Sequence, residues 1–531
     1  MQKTVPQSGP FSFVQSGYNC PTMRHFSTVI LLAALVTGCA VNPVTGDRDF
    51  MLVSSDQELA LGAQNYLPTQ QSQGAAYDVD PALTRYVEAV GQRLAAVSDV
   101  PLPYEFTVLN NSVPNAWALP GGKIAINRGL LTEINSEAEL AAVLGHEIVH
   151  AAARHTAQQM SRGMLLQGVV VATSVVTSDS SYGDMAVGGA SAAAQLLTMK
   201  YGRGAELESD KYGMRYMSRA GYDPQGAVAL QETFVRLSEG RDEDWLSGLF
   251  ASHPPSNERV DANIKTAANL PSGGTVGADS FSAALQKTRD AKPAYDAYDE
   301  GRKALSEKNA DEALALAEKA LELFPAEANF HALRGDVRLI QKRYDDAITN
   351  YDRAISRRDV FFYYHLQRGL ANNELGQTDA AVADLERSLE LLPTAPAHYT
   401  LGKIEADRGN VPAAIDHYKV VAQSGGDYGE AATAALVRLD LSSNPANYIA
   451  RGCAAGTNGN LVVSVRNDTT LTITAVQVLV EFADSSGRRV QRRFNVGGRL
   501  AAGQVASVDT GLGPYLGSDC PVDVVAAQIS E

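Results

Sequence analysis

Glycine recurs at Gly301, Gly335, Gly369 and Gly402, at spacings of 34, 34 and 33 residues. An alanine stands 12 residues after each one, at Ala313, Ala347, Ala381 and Ala414. Ala320 and Ala354 keep a further offset of 19 in the first two units, and Pro325 and Pro393 close two of them. Small residues held at fixed offsets let two helices approach closely. A unit of this length cannot bury its apolar face alone, so the units must stack. The pattern therefore demands an all-α solenoid over residues 293–438. Its concave surface suits a peptide or protein partner. The last unit has Val421 where alanine is expected, as a capping repeat would.

The repeats leave most of the chain to be explained. A length of 531 residues exceeds one hydrophobic core. With 45% hydrophobic and 20% charged residues the chain is neither wholly disordered nor a polytopic membrane protein. A formal charge of −15 excludes nucleic acid as the expected partner. Linker composition at 269–292 and again at Ser442–Asn447 divides the chain. Beyond the second linker the apolar period becomes two, with Val476, Val478, Val480 and Phe482 alternating with other residues. Residues 448–531 read as a small all-β, sandwich-like domain. Ahead of the repeats, residues 52–268 mix helix and strand, mainly α (α+β). Residues 80–98 have helical apolar spacing. Phe106–Leu109, Val113–Leu119 and Lys123–Ile126 read as strands, with a turn at Pro120-Gly121-Gly122. Ser136 and Glu139 form a capping box that starts a helix running to about Met160.

The amino terminus reads as an address. Arg24 and His25 precede an apolar run from Val29 to Val36, too short to span a bilayer and suited to a signal peptide. Val36-Thr37-Gly38-Cys39 resembles a bacterial lipobox. Residues 1–38 would then be removed, with the true start at Met23. Cys39 would carry lipid and 39–51 would be a tether. Ala40 after the cysteine resembles the outer-membrane-sorted pattern, which places the protein in the periplasm, lipid-anchored to the outer membrane. A second apolar stretch, 163–178, is uncharged but also below spanning length, and reads as a buried or membrane-skimming helix. Of the four cysteines, Cys20 precedes the start and Cys39 is claimed by lipid. Cys453 and Cys520, near the two ends of the β domain, are left as candidates for one disulfide in an oxidising compartment.

His146-Glu147-Ile148-Val149-His150 lies inside the capped helix. Histidines at i and i+4 share a helix face and suit one Zn²⁺, with Glu147 beside them to take a proton from metal-bound water. A third ligand is needed. His155 stands nine residues after His146 and reads as a structural histidine near the helix end. Arg203-Gly-Ala-Glu206-Leu-Glu208-Ser-Asp210 offers a better ligand. Glu206 can bind the metal, and Asp210, one turn on, can fix the tautomer of a ligating histidine. Glu208 points away and is the weaker candidate.

These motifs, with Asn115-Ala116-Trp-Ala-Leu-Pro-Gly-Gly and Ser252-His253-Pro254-Pro255-Ser-Asn-Glu258-Arg259, stand in the order seen in HtpX/BepA-type zinc metallopeptidases. The chain resembles that group over residues 50–265; the group also contains the CAAX prenyl endopeptidases. The family's alanine before the last aspartate is Ser209 here. The resemblance implies a zincin-type domain with one Zn²⁺ held by His146, His150 and Glu206, and Glu147 as general base. Asn115 and Ala116 would sit on an edge strand that grips the substrate backbone by β-addition. His253, with Arg259, would stabilise the tetrahedral oxyanion. In relatives the His253 loop can also cap the metal and idle the enzyme. The repeat period likewise resembles tetratricopeptide repeats.

Two functions from different classes follow. One is a zinc endopeptidase of the envelope that hydrolyses misfolded or unassembled envelope proteins, its repeats recruiting substrates or an assembly partner. The other is a chaperone or adaptor for outer-membrane protein assembly in which proteolysis is secondary. A scaffold with a vestigial site is a weaker third reading, because Glu147 and the ligand set are intact.

Overall fold

A computed structural model describes residues 39–167, 187, 200–240, 253–483, 488–515 and 520–530. Residues 1–38, read above as a signal peptide, and the apolar stretch from residue 168 lie outside the described residues. Among the described residues, no helix is long and apolar enough to cross a membrane.

The first described residues are folded. Strand β1 (Cys39–Val41) pairs antiparallel with β2 (Arg48–Phe50). A hairpin therefore stands where composition suggested a tether over 39–51, because backbone pairing there does not need apolar side chains. Helix α1 (Ser55–Ser72) starts on a capping box formed by Ser54 and Gln57. Helix α2 (Pro81–Ala95) is capped by Asp80 and buries Leu83, Val87, Val90 and Leu94 along one stripe.

A three-stranded sheet follows, in the order β3 (Glu105–Leu109), β5 (Lys123–Asn127), β4 (Ala116–Leu119). β3 and β5 are parallel, β4 and β5 antiparallel, so β4 is an edge strand. The expected strand at 113–119 is shorter than its sequence pattern. Val113 N donates to Asn111 Oδ1, a turn, and Pro114 lacks a donor, so pairing begins at Ala116.

After the short α3 (Arg128–Glu133), helix α4 (Glu137–Ala152) runs through the centre of the domain. Ser136 Oγ accepts from Glu139 N at 3.2 Å. Every residue from Ala138 to Ala152 is buried. The helix expected to reach Met160 is broken at Arg154, which takes φ 63°; its guanidinium pairs with Glu58 and Val53 O. Helix α5 (His155–Gln167) restarts at once. Helix α6 (Arg203–Arg219) lies against α4. The two backbones meet at glycine: a Cβ on Gly145 would stand 3.1 Å from Gly213 O, and one on Gly213 would stand 3.0 Å from Gly145 C. Helices α7 (Gln225–Gly240) and α8 (Asn257–Ala268) complete the domain.

The expected linker at 269–292 is only partly a linker. Helix α9 (Ala278–Asp290) buries Phe281 and Leu285 in the peptidase-side core, a signal masked by the glycine-rich stretch before it. The repeats then run from α10 (Lys292–Ser306) through α11 (Ala310–Leu323), α12 (Ala328–Ile340), α13 (Tyr344–Arg357), α14 (Phe362–Glu374), α15 (Thr378–Leu391), α16 (Ala395–Asp407) and α17 (Val411–Val421) to α18 (Gly426–Asp440). Their glycines do what the period demanded: a Cβ on Gly335 would stand 2.8 Å from the Tyr351 ring, and one on Gly402 2.9 Å from Tyr418.

The array is joined to the first domain by buried polar contacts. Gln71 bonds Val360 O and Phe362 N, Arg358 donates to Gly74 O and Ala76 O, and Asn110 donates to Glu327. The carboxy-terminal domain stacks two antiparallel sheets around Val463, Val476, Val478 and Val480. One holds β6 (Ile449–Ala455), β7 (Leu461–Asn467) and β10 (Val505–Asp509). The other holds β8 (Ile473–Ala483), β9 (Arg489–Val496) and β11 (Val522–Ile529). A disulfide joins Cys453 to Cys520.

The glycine contact between α4 and α6 generates a prediction. Gly213→Ala should destabilise the domain by about 1–3 kcal/mol, because only backbone atoms surround the new methyl. Urea unfolding of the variant measures this; no change would mean that the helices can part without cost.

Candidate metal centre

α4 presents His146, Glu147 and His150 on its buried length, and the first turn of α6 presents Glu206, with Asp210 one turn further. The glycine contact brings the two sets together. His146 Nε2 and His150 Nε2 lie 2.9 Å apart. Glu206 faces both, with Oε2 at 3.5 Å from His146 Nε2 and Oε1 at 3.3 Å from His150 Nε2. His253, just ahead of α8, points its Nδ1 into the same space, 3.0 Å from Glu206 Oε1 and 3.3 Å from His146 Nε2. Donor atoms of His146, His150, Glu206 and His253 all lie within 4.8 Å of one another. His253 thus stands among the donors, where the sequence suggested a group beside the metal-bound oxygen. Its Nε2 is 3.6 Å from Glu147 Oε1.

The far nitrogens of both helix histidines are held. His146 Nδ1 lies 2.9 Å from Asp210 Oδ1. Asp210 is gripped by Arg259 through two bonds of 2.7 Å, from Nε and Nη2. Arg259 Nη1 also lies 2.9 Å from Glu206 Oε2. The oxyanion role expected for Arg259 does not fit this placement: its charge is spent on two carboxylates, and it positions them. On the other side, His150 Nδ1 meets His155 Nδ1 at 2.9 Å, and His155 Nε2 lies 3.4 Å from Glu208 Oε1. Asn42 Nδ2 donates to the same oxygen at 3.0 Å. His155 and Glu208, set aside as ligands, form a second support chain. The Arg154 kink makes it possible by turning His155 back toward His150, and helical spacing gave no sign of that. Tyr201 was missed altogether. It stacks on His150 at 3.9 Å between ring centroids and shares a hydrogen bond with Thr156. No motif spacing pointed to it.

Burial pushes the Glu147 carboxyl up from its ordinary range, and the neighbouring imidazoles of His253 and His146 only partly offset this. Its Oε2 has no hydrogen-bond partner among the described residues. Burial alone would also raise Asp210, but the Arg259 guanidinium outweighs it and holds that carboxyl low. Burial drives His150 well below its usual range. His146 goes the other way, to about 10: burial opposes its charge, but Glu206 and Asp210 more than compensate. The carboxylates thus call for positive charge at the centre, which a divalent cation would supply in place of a proton.

A pocket opens beside these groups, lined by Ala116, Val143, Met214, Leu230 and Phe234 with His146 and Glu147 on its wall. Ala116 begins edge strand β4. Asn115, just before it, accepts from Asn127 N through its carbonyl at 2.8 Å, and its buried Oδ1 has no partner among the described residues.

Two imidazole nitrogens and a carboxylate, each oriented from behind, are the donor chemistry zinc takes in catalytic sites. The residues therefore fit a metal. Neutralising either support chain should loosen it. Glu208→Gln is expected to weaken zinc binding about 10–100-fold, read by competition with a chromophoric chelator; unchanged affinity would reduce His155–Glu208 to packing.

Comparison with known proteins agrees with this geometry. Residues 81–267 match the model of Peptidase family M48, and residues 298–359 and 366–429 match that of the tetratricopeptide repeat. The beta-barrel assembly-enhancing protease of Yersinia pestis is 31% identical over 225 residues, 41% of this chain and 45% of that protein. The mitochondrial metalloendopeptidase OMA1 of Schizosaccharomyces pombe is 31% identical over 225 residues, 41% of this chain and 63% of that protein. Metalloprotease YcaL of Escherichia coli strain K12 is 29% identical over 252 residues, 43% of this chain and 94% of that protein. The chain spans under half the length of the assembly-enhancing proteases it matches, 45% in Yersinia pestis and 47% in Escherichia coli. Residues 81–267 are thus similar to peptidase family M48, and the residues after them to tetratricopeptide repeats.

Proposed function

We propose that the protein is a zinc-dependent endopeptidase of the bacterial envelope, acting on misfolded or unassembled proteins that its repeats help to recruit. The observation that carries this reading is Glu147. A buried carboxylate with one unpartnered oxygen, beside a convergent His146–His150–Glu206 donor set and an apolar pocket, is placed for proton transfer.

His146, His150 and Glu206 would hold the ion. Bound there, zinc would supply a Lewis acid to the scissile carbonyl and to the attacking water. The chain's own residues do the rest. A substrate strand pairs with the edge of β4 that is unpaired among the described residues, near Asn115 and Ala116, which fixes its backbone and lets a side chain enter the pocket. Glu147 takes the proton of the attacking water and returns it to the leaving amine; the upward push on its carboxyl suits a group that must both accept and donate. Asp210 and His155 keep the two imidazoles in the tautomers that leave Nε2 free.

His253 gives the site two states. With Nδ1 among the donors it would complete a four-donor set around a bound ion, and a closed site of that kind would be inactive. Swung away, it frees that position and its ring can face the developing oxyanion. The loop is thereby a self-inhibiting cap in our reading. Acylation of Cys39 would anchor the protein to the outer membrane, and the concave face of the repeats would bind the partner or substrate.

Two outcomes test this. Glu147→Gln should abolish cleavage of an unfolded protein such as casein while zinc is retained. If the variant still supports outer-membrane assembly fully, the adaptor reading replaces this one. His253→Ala should raise cleavage if the cap dominates; a loss of activity with zinc retained would assign it to the oxyanion instead.

A further inference from the structure

The pocket beside His146 and Glu147 is mostly apolar, with Met214 and Met217 of α6 and Leu230 and Phe234 of α7 on its walls. Two carboxamides are set into the same lining, Gln231 on α7 and Asn263 on α8. Each residue is only 2% exposed. Asn263 Nδ2 donates to Ala227 O at 3.4 Å, so the oxygen is the end of that amide left over. Asn263 Oδ1 and Gln231 Oε1 are both buried, and neither accepts a hydrogen bond among the described residues. Buried acceptors without donors are costly and uncommon, and each needs a reason. Holding the metal ligands is not that reason. Asp210, Arg259, His155 and Glu208 support the candidate ligands, and neither carboxamide bonds to any of them.

The surroundings limit what can meet the two oxygens. The cavity is narrow, about 30 Å³, which admits water or the tip of one slim side chain. An ion of either sign meets a like charge on the wall. Arg259, one turn before Asn263, disfavours a lysine or arginine, and Glu147 and Asp210 disfavour a carboxylate. What remains is a neutral hydrogen-bond donor at the end of an apolar stem.

We propose that this pocket selects a glutamine or asparagine side chain beside the scissile bond, with Gln231 and Asn263 as its specificity determinants. This rests on the peptidase reading given above and names the residue that reading leaves open. A carboxamide nitrogen carries two N–H groups, one for each orphaned oxygen, whereas a hydroxyl carries one. Water can serve both oxygens in the free protein. An apolar side chain displaces that water without replacing its hydrogen bonds and is rejected for it.

The test takes the full-length, zinc-loaded protein and a pool of synthetic peptides, and reads the residues on both sides of every cut by mass spectrometry. Glutamine and asparagine should be enriched about 10–100-fold over leucine and methionine at one of the two positions. Gln231→Leu and Asn263→Leu should each lower that ratio and move the preference toward leucine. Each removes an unmet buried acceptor, so the unfolding midpoint should hold or rise. If the wild type cuts beside leucine or methionine as well as beside glutamine, the two oxygens serve water alone and the proposal falls, whether or not the variants fold. A glutamine preference that neither variant changes also overturns it. Glu147→Gln separates this claim from the peptidase reading. If that variant cuts as the wild type does, or if the wild type cuts nothing, the peptidase reading fails by itself. Fluorescence anisotropy on the Glu147→Gln chain then decides the pocket, using labelled alanine peptides that carry one glutamine or one leucine. Tighter binding of the glutamine peptide upholds the selection; equal binding, or tighter binding of the leucine peptide, overturns it.

Discussion

Three carboxylates, Glu147, Glu206 and Asp210, are buried within one small volume, and the structure depends on how their charge is met. An unpaired buried carboxylate is expensive, and a cluster is more so. Arg259 answers two of them, donating two hydrogen bonds to Asp210 and forming an ion pair with Glu206. The imidazoles of His146, His150 and His253 crowd the remaining oxygens. Positive charge at the centre is thus a requirement of the fold before it is a feature of catalysis. The Gly145–Gly213 contact follows from the same need, since only bare backbone lets α4 and α6 stand close enough for one cation to serve both helices.

Much of this was legible in the sequence. HEIVH, the spacing of Glu206 and Asp210, the period of the repeats and the alternation of Val476, Val478 and Val480 all express regular geometry, which a one-dimensional pattern can record. What escaped reading was irregular. The Arg154 kink needs a residue with positive φ where sequence shows only a basic residue in a helical run. Its effect, His155 turned onto His150 and Glu208, could not be read from helical spacing. Tyr201 reaches His150 from outside any motif. Resemblance puts Arg259 near the chemistry, but only the folded arrangement reveals that Asp210 and Glu206 consume its charge. The hairpin at Cys39 was hidden because its pairing is carried by backbone groups.

The two histidine supports differ in reach. Asp210 and Arg259 join α6 to α8 and stay within the candidate metal centre. His155 and Glu208 lead outward through Asn42 to the first residues of the described chain. On the opposite side, Asn110, in the loop that leads to β4, bonds Glu327 of the repeat array. The candidate metal centre and the edge strand proposed to bind substrate are therefore each tied to a different periphery, one toward the proposed membrane anchor and one toward the repeats.

The central claim is that His146, His150 and Glu206 hold a catalytic zinc ion. Metal content by inductively coupled plasma mass spectrometry tests it most directly, on the wild type and on a folded Glu206→Gln variant. About one zinc per chain is expected in the wild type, with most of it lost in the variant. Zinc that stays at the wild-type level in Glu206→Gln would remove Glu206 from the site and contradict the account.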